Sequence, residues 1–269
     1  KWLYFGLSLL VIIPGAISLL KFGLKPAIDF TGGSLVELKL TAQPEKAITE
    51  QGLREVAEKQ QIKIGSIQLT NNSTLIRTAP LSQDRLEVFK QSLKQDMASN
   101  VEEVRFETVG PTLGKELLVK TLTAIILATS LILLYVAYRF KSVKFGVCAV
   151  LAMLHDSLVI LGSFSLLGQL VGVEVDTLFV TAVLTILSFS VHDTIVVYDR
   201  TRESRKLNPK ADFTGVVNYA VTTTLSRSIN NSMTIIFMLT ALFLLGGATI
   251  KWFTLALLIG TVSGTYSST

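Results

Sequence analysis

Long apolar runs separated by short polar segments occupy most of this chain. A helix needs roughly 20 mostly apolar residues to cross a bilayer. Six runs come near that length, at residues 2–20, 121–138, 145–171, 177–198, 229–250 and from 252 onward. The pattern therefore predicts an α-helical polytopic membrane protein with six transmembrane helices. Because the last run ends in small polar residues, we expect the sixth helix to be incomplete.

The first run lacks a small-residue cleavage site and continues directly into a basic flank at Lys21 and Lys25. These features favour a retained helix over a signal peptide, which is the alternative. The chain begins at Lys1 rather than Met, so we expect a preceding segment.

The region between the first two apolar runs has the shorter periodicities of a water-exposed domain. Alternating apolar residues predict strands at residues 34–40, 62–69, 73–78 and 101–109, the middle two joined by a turn at Asn71-Asn72. Helical spacing predicts helices at residues 45–60 and 82–98, the second capped by Ser82. The order βαββαβ predicts an inserted ferredoxin-like α+β domain. The chain then divides into a first transmembrane helix (residues 1–24), this domain (25–114) and a five-helix remainder (115–269).

The distribution of charge predicts topology rather than nucleic-acid binding. Only 17% of the residues are charged and the net charge is +5, whereas a soluble domain is usually about 25% charged. Residues 21–116 hold thirteen basic and thirteen acidic side chains, so the basic surplus falls in short loops beside apolar runs. By the positive-inside rule, these loops are cytoplasmic. We therefore expect a cytoplasmic N-terminus and an extracytoplasmic domain.

Two charged side chains inside the predicted helices are the strongest functional candidates. Ionisable residues are costly within a bilayer and mark ion pathways or buried pairs. Asp193 lies in the fourth run, about 9 Å along the helix from Asp199, and Arg227 lies at the start of the fifth run. If these helices are neighbours, the carboxylate and the guanidinium lie at a similar depth. The pair then acts as a proton relay, or as a static ion pair that fixes helix packing.

Other polar residues in the predicted helices have weaker assignments. His155 and Asp156 in the third run, His192 beside Asp193, and Asn230 and Asn231 are candidates for the relay or for helix packing. The two histidines have no third partner at a metal-ligand spacing, so no metal site is expected.

The chain shows no signature of nucleotide or covalent chemistry. Thr31-Gly32-Gly33 lacks the lysine and the spacing of a phosphate-binding loop, and no nucleophile–base pair is visible. We therefore expect no cofactor, no catalytic residue and no enzymatic activity, and we expect an ion gradient rather than ATP as the energy source. The basic, partly amphipathic segment 199–227 is either a solvated loop that touches acidic lipid or a docking surface for a partner.

Five motifs in order resemble those of the SecF family of the Sec protein export machinery. They are Ile28-Asp29-Phe30-Thr31-Gly32-Gly33, Val109-Gly110-Pro111, His155-Asp156, the run from Asp193 to Asp199-Arg200, and the segment Thr224-Leu225-Ser226-Arg227-Ser228-Ile229-Asn230-Asn231. The resemblance covers essentially the whole chain with matching topology. One such motif is weak evidence, whereas five in sequence are strong evidence for the family.

The resemblance implies a subunit of the resistance-nodulation-division (RND) superfamily that pairs with SecD, as a separate chain or fused upstream. It also implies that the subunit lies in the bacterial inner membrane beside the SecYEG translocon and uses the proton-motive force to move unfolded preprotein. A YajC-like small membrane protein is a further implied partner. The family's relay carboxylate corresponds to Asp193 and its arginine to Arg227, while a further essential acid lies on SecD. The family commonly has Asn where this chain has His192, which either joins the relay or replaces the amide as a neutral hydrogen-bonding group. The alternatives are a passive translocon scaffold and an RND-type small-molecule exporter.

Overall fold

Most of the apolar runs become long helices, and the polar region becomes a small sheet with its own helices. The computed structural model describes residues 2–42, 48–69, 73–140 and 143–268. In chain order the elements are α1 (Trp2–Phe22), α2 (Ile28–Thr31), β1 (Gly33–Ala42), α3 (Glu50–Lys59), β2 (Ile64–Leu69), β3 (Thr74–Thr78), α4 (Gln83–Asp96), β4 (Ala98–Val109), α5 (Pro111–Phe140), α6 (Val143–Leu170), α7 (Thr177–Leu207), α8 (Phe213–Leu245) and α9 (Ala248–Ser267). The chain divides into a helical unit, Lys1–Lys25 with Thr121–Thr269, and an α+β unit, Pro26–Lys120.

Four of the helices are long and apolar enough to cross a membrane. They are Pro111–Arg139, Phe145–Leu170, Thr177–Leu207 and Phe213–Leu245, and Ser8–Phe22 is a shorter apolar stretch. The chain is therefore mostly helical, with four candidate membrane spans among the described residues.

Two helices extend beyond the apolar runs that predicted them. The fourth run ends at Tyr198, but α7 continues to Leu207. Asp193 therefore lies well inside the helix and farther than two turns from its end. The fifth run starts at Ile229, but α8 begins at Phe213 because the Asp212 carboxylate caps it, accepting from Gly215 N at 3.2 Å. Hydropathy alone misses these extensions because their residues are polar or amphipathic.

The turn between α8 and α9 is tight. Gly246 is the C-cap of α8 and Gly247 the N-cap of α9, so Lys251, which separates the last two apolar runs, lies in the first turns of α9. The two helices are neighbours in the helical unit.

Small residues let α1 and α6 approach each other closely. A Cβ atom built on Gly15 would lie 2.8 Å from Gly162 Cα. Beside this point, the buried hydroxyls of Ser18 and Ser165 are hydrogen-bonded at 2.8 Å. Close backbone packing and interhelical hydrogen bonds are the main forces between helices in lipid, where burial of apolar surface contributes little.

The α+β unit is a four-stranded antiparallel sheet of order β2-β3-β1-β4 with α3 and α4 packed against it. Its core contains Leu86, Phe89 and Leu93 on the inner face of α4, each fully buried. Ser82 is the N-cap residue of α4 as predicted, but its side chain makes no capping hydrogen bond. The predicted turn Asn71-Asn72 and the start of the first predicted helix lie outside the described residues.

Candidate functional site

Asp193 is a buried carboxylate on α7 that is hydrogen-bonded across to α8. Its side chain is 6% exposed, and Ser228 Oγ donates to its Oδ2 at 2.6 Å. Asp193 and Ser228 lie on neighbouring helices, as α7 and α8 pack against each other. The bond holds the carboxylate against α8 at the depth of Ser228.

A cavity of about 240 Å³ lies beside this hydrogen bond. Residues of α7 and α8 line it: His192, Asp193, Val196, Val197, Thr224, Arg227, Ser228 and Asn231. The structure thus brings Asp193 and Arg227 to one cavity, and His192 and Asn231 with them. Within the described part of the chain, Asp193 and Arg227 form no ion pair.

The polar residues around Asp193 are exposed on the surface of this chain. His192, Arg227, Asn230 and Asn231 are all exposed, whereas Asp193 and Ser228 are buried. Asn230 does not line the cavity. These polar side chains lie within helices that are long and apolar enough to span a membrane.

His155 and Asp156 form a second polar cluster inside the helical unit. Asp156 is fully buried and accepts hydrogen bonds from Ser190 of α7 at 2.6 Å and from Ser263 and Ser267 of α9 at 2.6 and 2.8 Å. His155 Nδ1 lies 3.0 Å from its Oδ1. One carboxylate of α6 therefore binds both α7 and α9.

The serines that donate to Asp156 are members of this cluster that the sequence analysis did not identify. The polar end of the last apolar run predicted only an incomplete helix, yet Ser263 and Ser267 are spaced four residues apart and so share one helix face. This spacing is the sequence feature that could have identified the two serines. Ser190 lies inside a long apolar run and has no comparable feature.

A group of ion pairs lies along the C-terminal part of α7. Arg139 Nη2 of α5 lies 2.5 Å from Asp199 Oδ2, and Arg202 lies 3.7 Å from the other oxygen of the same carboxylate. Arg200 pairs with Glu203 at 2.7 Å and lies over the ring of Tyr219 of α8. Asp199 and Arg200, two residues of the predicted signature, therefore connect α7 to α5 and α8.

The signature segments Asp29-Phe30-Thr31-Gly32-Gly33 and Gly110-Pro111 meet in the α+β unit. The first forms the single turn α2, with Phe30 buried. Gly32 has φ 73° and ψ 162°, a conformation that essentially only glycine adopts. A Cβ on Gly32 would lie 2.7 Å from Pro111 Cα. Pro111 is the first residue of α5, where its missing N–H has no consequence.

Comparison with known families places two matches on the chain. Residues 88–269 match the family described as "Protein export membrane protein SecD/SecF, C-terminal". Residues 17–44 match the "SecD/SecF GG Motif". The second match includes the α2 turn with Gly32 and Gly33, and the first includes both polar clusters of the helical unit.

Curated relatives match along the whole chain. The protein translocase subunit SecF of Thermobaculum terrenum is 43% identical over 100% of this chain and 88% of its own length. That of Anaerolinea thermophila is 39% identical over 100% of this chain and 88% of its own. The protein translocase subunit SecDF of Thermus thermophilus is 35% identical over 91% of this chain, which covers 33% of that relative.

A solved structure has the same fold. The crystal structure of the translocon-associated membrane protein SecDF from Thermus thermophilus superimposes with a TM-score of 0.84 at 33% identity, over 98% of this chain. A second SecDF structure, in a super-membrane-facing form, gives a TM-score of 0.67 at the same identity. This chain spans about a third of those SecDF chains, 35% in each case.

Proposed function

This chain belongs to the SecF family of protein translocase subunits, and we propose that it works with SecD to convert the proton-motive force into movement of preprotein across the membrane. Asp193 is the proposed proton carrier and Arg227 the group that controls its release. The observation that carries this proposal is a buried carboxylate with one hydroxyl donor, beside a cavity that it shares with an arginine.

The chemistry of this arrangement suits reversible proton binding. Ser228 occupies one oxygen of Asp193, and no other hydrogen bond to that carboxylate is present among the described residues. The second oxygen therefore has room for a proton. A guanidinium that approaches the carboxylate favours its ionised form, so movement of Arg227 toward Asp193 releases the proton.

The exposed polar residues support a partner that covers them. His192, Arg227 and Asn231 lie exposed on apolar helices, and charged groups in contact with lipid are costly. We propose that helices of SecD cover these exposed side chains. The Thermus thermophilus relative is a SecDF chain. The cavity then lies between the two partners.

The remaining architecture follows from the family and from the sequence pattern. We propose six transmembrane helices in the RND arrangement, with α1 and α9 adding to the four candidate spans. The order of strands and helices in the α+β unit supports a ferredoxin-like domain.

This domain faces the extracytoplasmic side of the bacterial inner membrane and meets the preprotein that emerges from SecYEG, with the N-terminus cytoplasmic. A YajC-like protein is a further proposed partner, and the activity is transport rather than enzymatic catalysis.

The test is Asp193→Asn in vesicles that contain the assembled translocase. We expect a loss of the stimulation of preprotein translocation by the proton-motive force, with normal assembly. Glu203→Gln is the matched control, since it removes an exposed acid on the same helix, outside the cavity that Asp193 lines. Full stimulation in Asp193→Asn would refute the relay and favour a passive scaffold.

A charge swap tests the role of Arg227. Asp193→Arg with Arg227→Asp restores part of the stimulation if the two side chains must meet during the cycle. Each single variant should abolish it. If the double variant is as inactive as either single one, direct pairing of the two groups is excluded.

A further inference from the structure

The carboxylate of Asp156 is surrounded by four hydrogen-bond donors. Its carboxylate is fully buried and accepts from three serine hydroxyls and from His155 Nδ1, at 2.6 to 3.0 Å. An ionised carboxylate offers about four lone-pair sites, and these four donors fill them.

His155 is bonded differently, because its other nitrogen faces two hydroxyls. Nε2 lies 3.0 Å from Ser8 Oγ of α1 and 3.2 Å from Tyr266 Oη of α9. A hydroxyl both donates and accepts. When Nε2 is bare, either hydroxyl donates to it. When Nε2 carries a proton, the same hydroxyl rotates and accepts, with no movement of the helices.

We propose that His155 is a second protonation site of this subunit, with Asp156 as its permanent counter-ion. The proton binds at Nε2, while Nδ1–H remains on Asp156. The pair then changes from a net charge of −1 to zero, and release reverses the step.

Among the described residues, the side chains of other helices that are hydrogen-bonded to the pair are all hydroxyl groups. On the helices hydrogen-bonded to it, the contributing groups are Ser8 of α1, Ser190 of α7, and Ser263, Tyr266 and Ser267 of α9. Of these, Tyr266 alone is titratable. Asp193 follows Ser190 by one turn of α7, but its carboxylate is bonded to Ser228 on α8.

The inference rests on the proposed proton-driven function and extends it. Ser190 attaches the pair to α7, the helix that carries Asp193. The subunit then offers a proton two binding sites on packed helices, α6 and α7. Transport should therefore depend on pH through His155 as well as through Asp193.

The direct test is the titration of the imidazole by ¹⁵N NMR in the full chain, reconstituted in lipid and labelled at histidine. The sequence has two histidines, so His192→Gln leaves His155 as the single imidazole signal. We expect this signal to change from neutral imidazole to imidazolium as the pH is lowered. Asp156→Asn should alter that titration, whereas Asp193→Asn should leave it unchanged. A signal that stays neutral throughout, or one indifferent to Asp156→Asn, overturns the proposal.

The functional test is the pH profile of proton-driven translocation in His155→Gln. Glutamine keeps one hydrogen bond but does not titrate, so we expect a flatter profile between pH 6 and 8. Ser157→Ala is the matched control, because Ser157 Oγ donates to Met153 O within α6 and makes no other hydrogen bond in the part of the chain that the structure describes. A lower rate with an unchanged profile would assign His155 to packing and overturn the proposal. If Asp193→Asn retains stimulation while His155 still titrates, the proposed relay fails but the protonation site stands.

Discussion

Arg227 and Ser228 are consecutive on α8, and both face the carboxylate region of Asp193. Ser228 Oγ donates to Asp193 at 2.6 Å. Arg227 lines the same cavity but forms no ion pair with Asp193 among the described residues. The proposed relay therefore requires Arg227 to move toward a carboxylate that Ser228 already holds.

We expect Ser228→Ala to weaken both the packing of α7 on α8 and proton-driven transport. A hydrogen bond to a charged group contributes about 1.5 to 3 kcal/mol, and the alanine leaves Asp193 with no donor among the described residues. Thermal unfolding in lipid nanodiscs and translocation at a fixed proton gradient measure the two effects.

Ser232→Ala is the matched control for this variant. Ser232 lies on the same helix, is buried, and accepts from Thr265 of α9 at 2.7 Å. It should lose comparable stability but keep the stimulation by the proton gradient. Equal loss of transport in both variants would mean that Ser228 acts through packing alone.

The sequence predicted the elements better than their ends. Alternation located all four strands to within a few residues because each has one face on the core. Hydropathy failed at the ends of α7 and α8, where charges such as Arg200 and Glu203 pair along the helix and Asp212 caps its start. Ion pairs and caps stabilise a helix without making it apolar.

The candidate site was predicted in part, for a similar reason. Asp193 stands out in sequence because a charge within an apolar run is costly, and Arg227 stands out because it lies two residues before the next apolar run. Ser190 and Ser263 do not stand out, since serine is common in helices and loops alike. Their contact with Asp156 depends on how α6, α7 and α9 are oriented about their own axes. No local sequence pattern predicts that orientation.

Lys90 should make the stability of the α+β unit depend on alkaline pH. Its ammonium group lies between Glu87 and Glu103, and these hydrogen bonds raise the pKa of Lys90 above its usual 10.5. The stabilisation is fully present below pH 10.5 and is lost as the pH rises through the higher folded-state pKa. Lys90→Met should therefore lower stability by about 1 kcal/mol at neutral pH and by less at strongly alkaline pH.

Urea unfolding of the full chain at neutral and at alkaline pH measures this difference in stability. The fluorescence of a tryptophan introduced by Phe106→Trp reports the unfolding of the α+β unit. Lys59→Met is the comparison, since Lys59 forms an exposed pair with Asp96 at 2.6 Å and should contribute less. A cost for Lys90→Met that stays constant from neutral to strongly alkaline pH would contradict the assignment.

Gly15→Val should separate α1 from α6. The added Cβ would meet the backbone of Gly162 at 2.8 Å, and backbone atoms cannot rotate away. With Ser18→Cys, Ser165→Cys and Cys148→Ser, the yield of the 18–165 disulfide reports the approach of the helices. We expect it to fall several-fold, while Gly6→Val, with nothing within 4 Å of its Cβ, should leave it unchanged. An undiminished yield in Gly15→Val would refute close packing at this point.

Gly32→Ala should destabilise the junction between the two signature segments of the α+β unit. At φ 73° and ψ 162°, a non-glycine residue costs about 1 to 3 kcal/mol, and the new Cβ would lie 2.7 Å from Pro111 Cα. Gly110→Ala is the control, since its Cβ meets nothing within 4 Å. Thermal unfolding should show a loss for Gly32→Ala and little for Gly110→Ala. The same small effect for both variants would mean that the glycine is not required by the contact with Pro111, and the conformation of α2 would need another explanation.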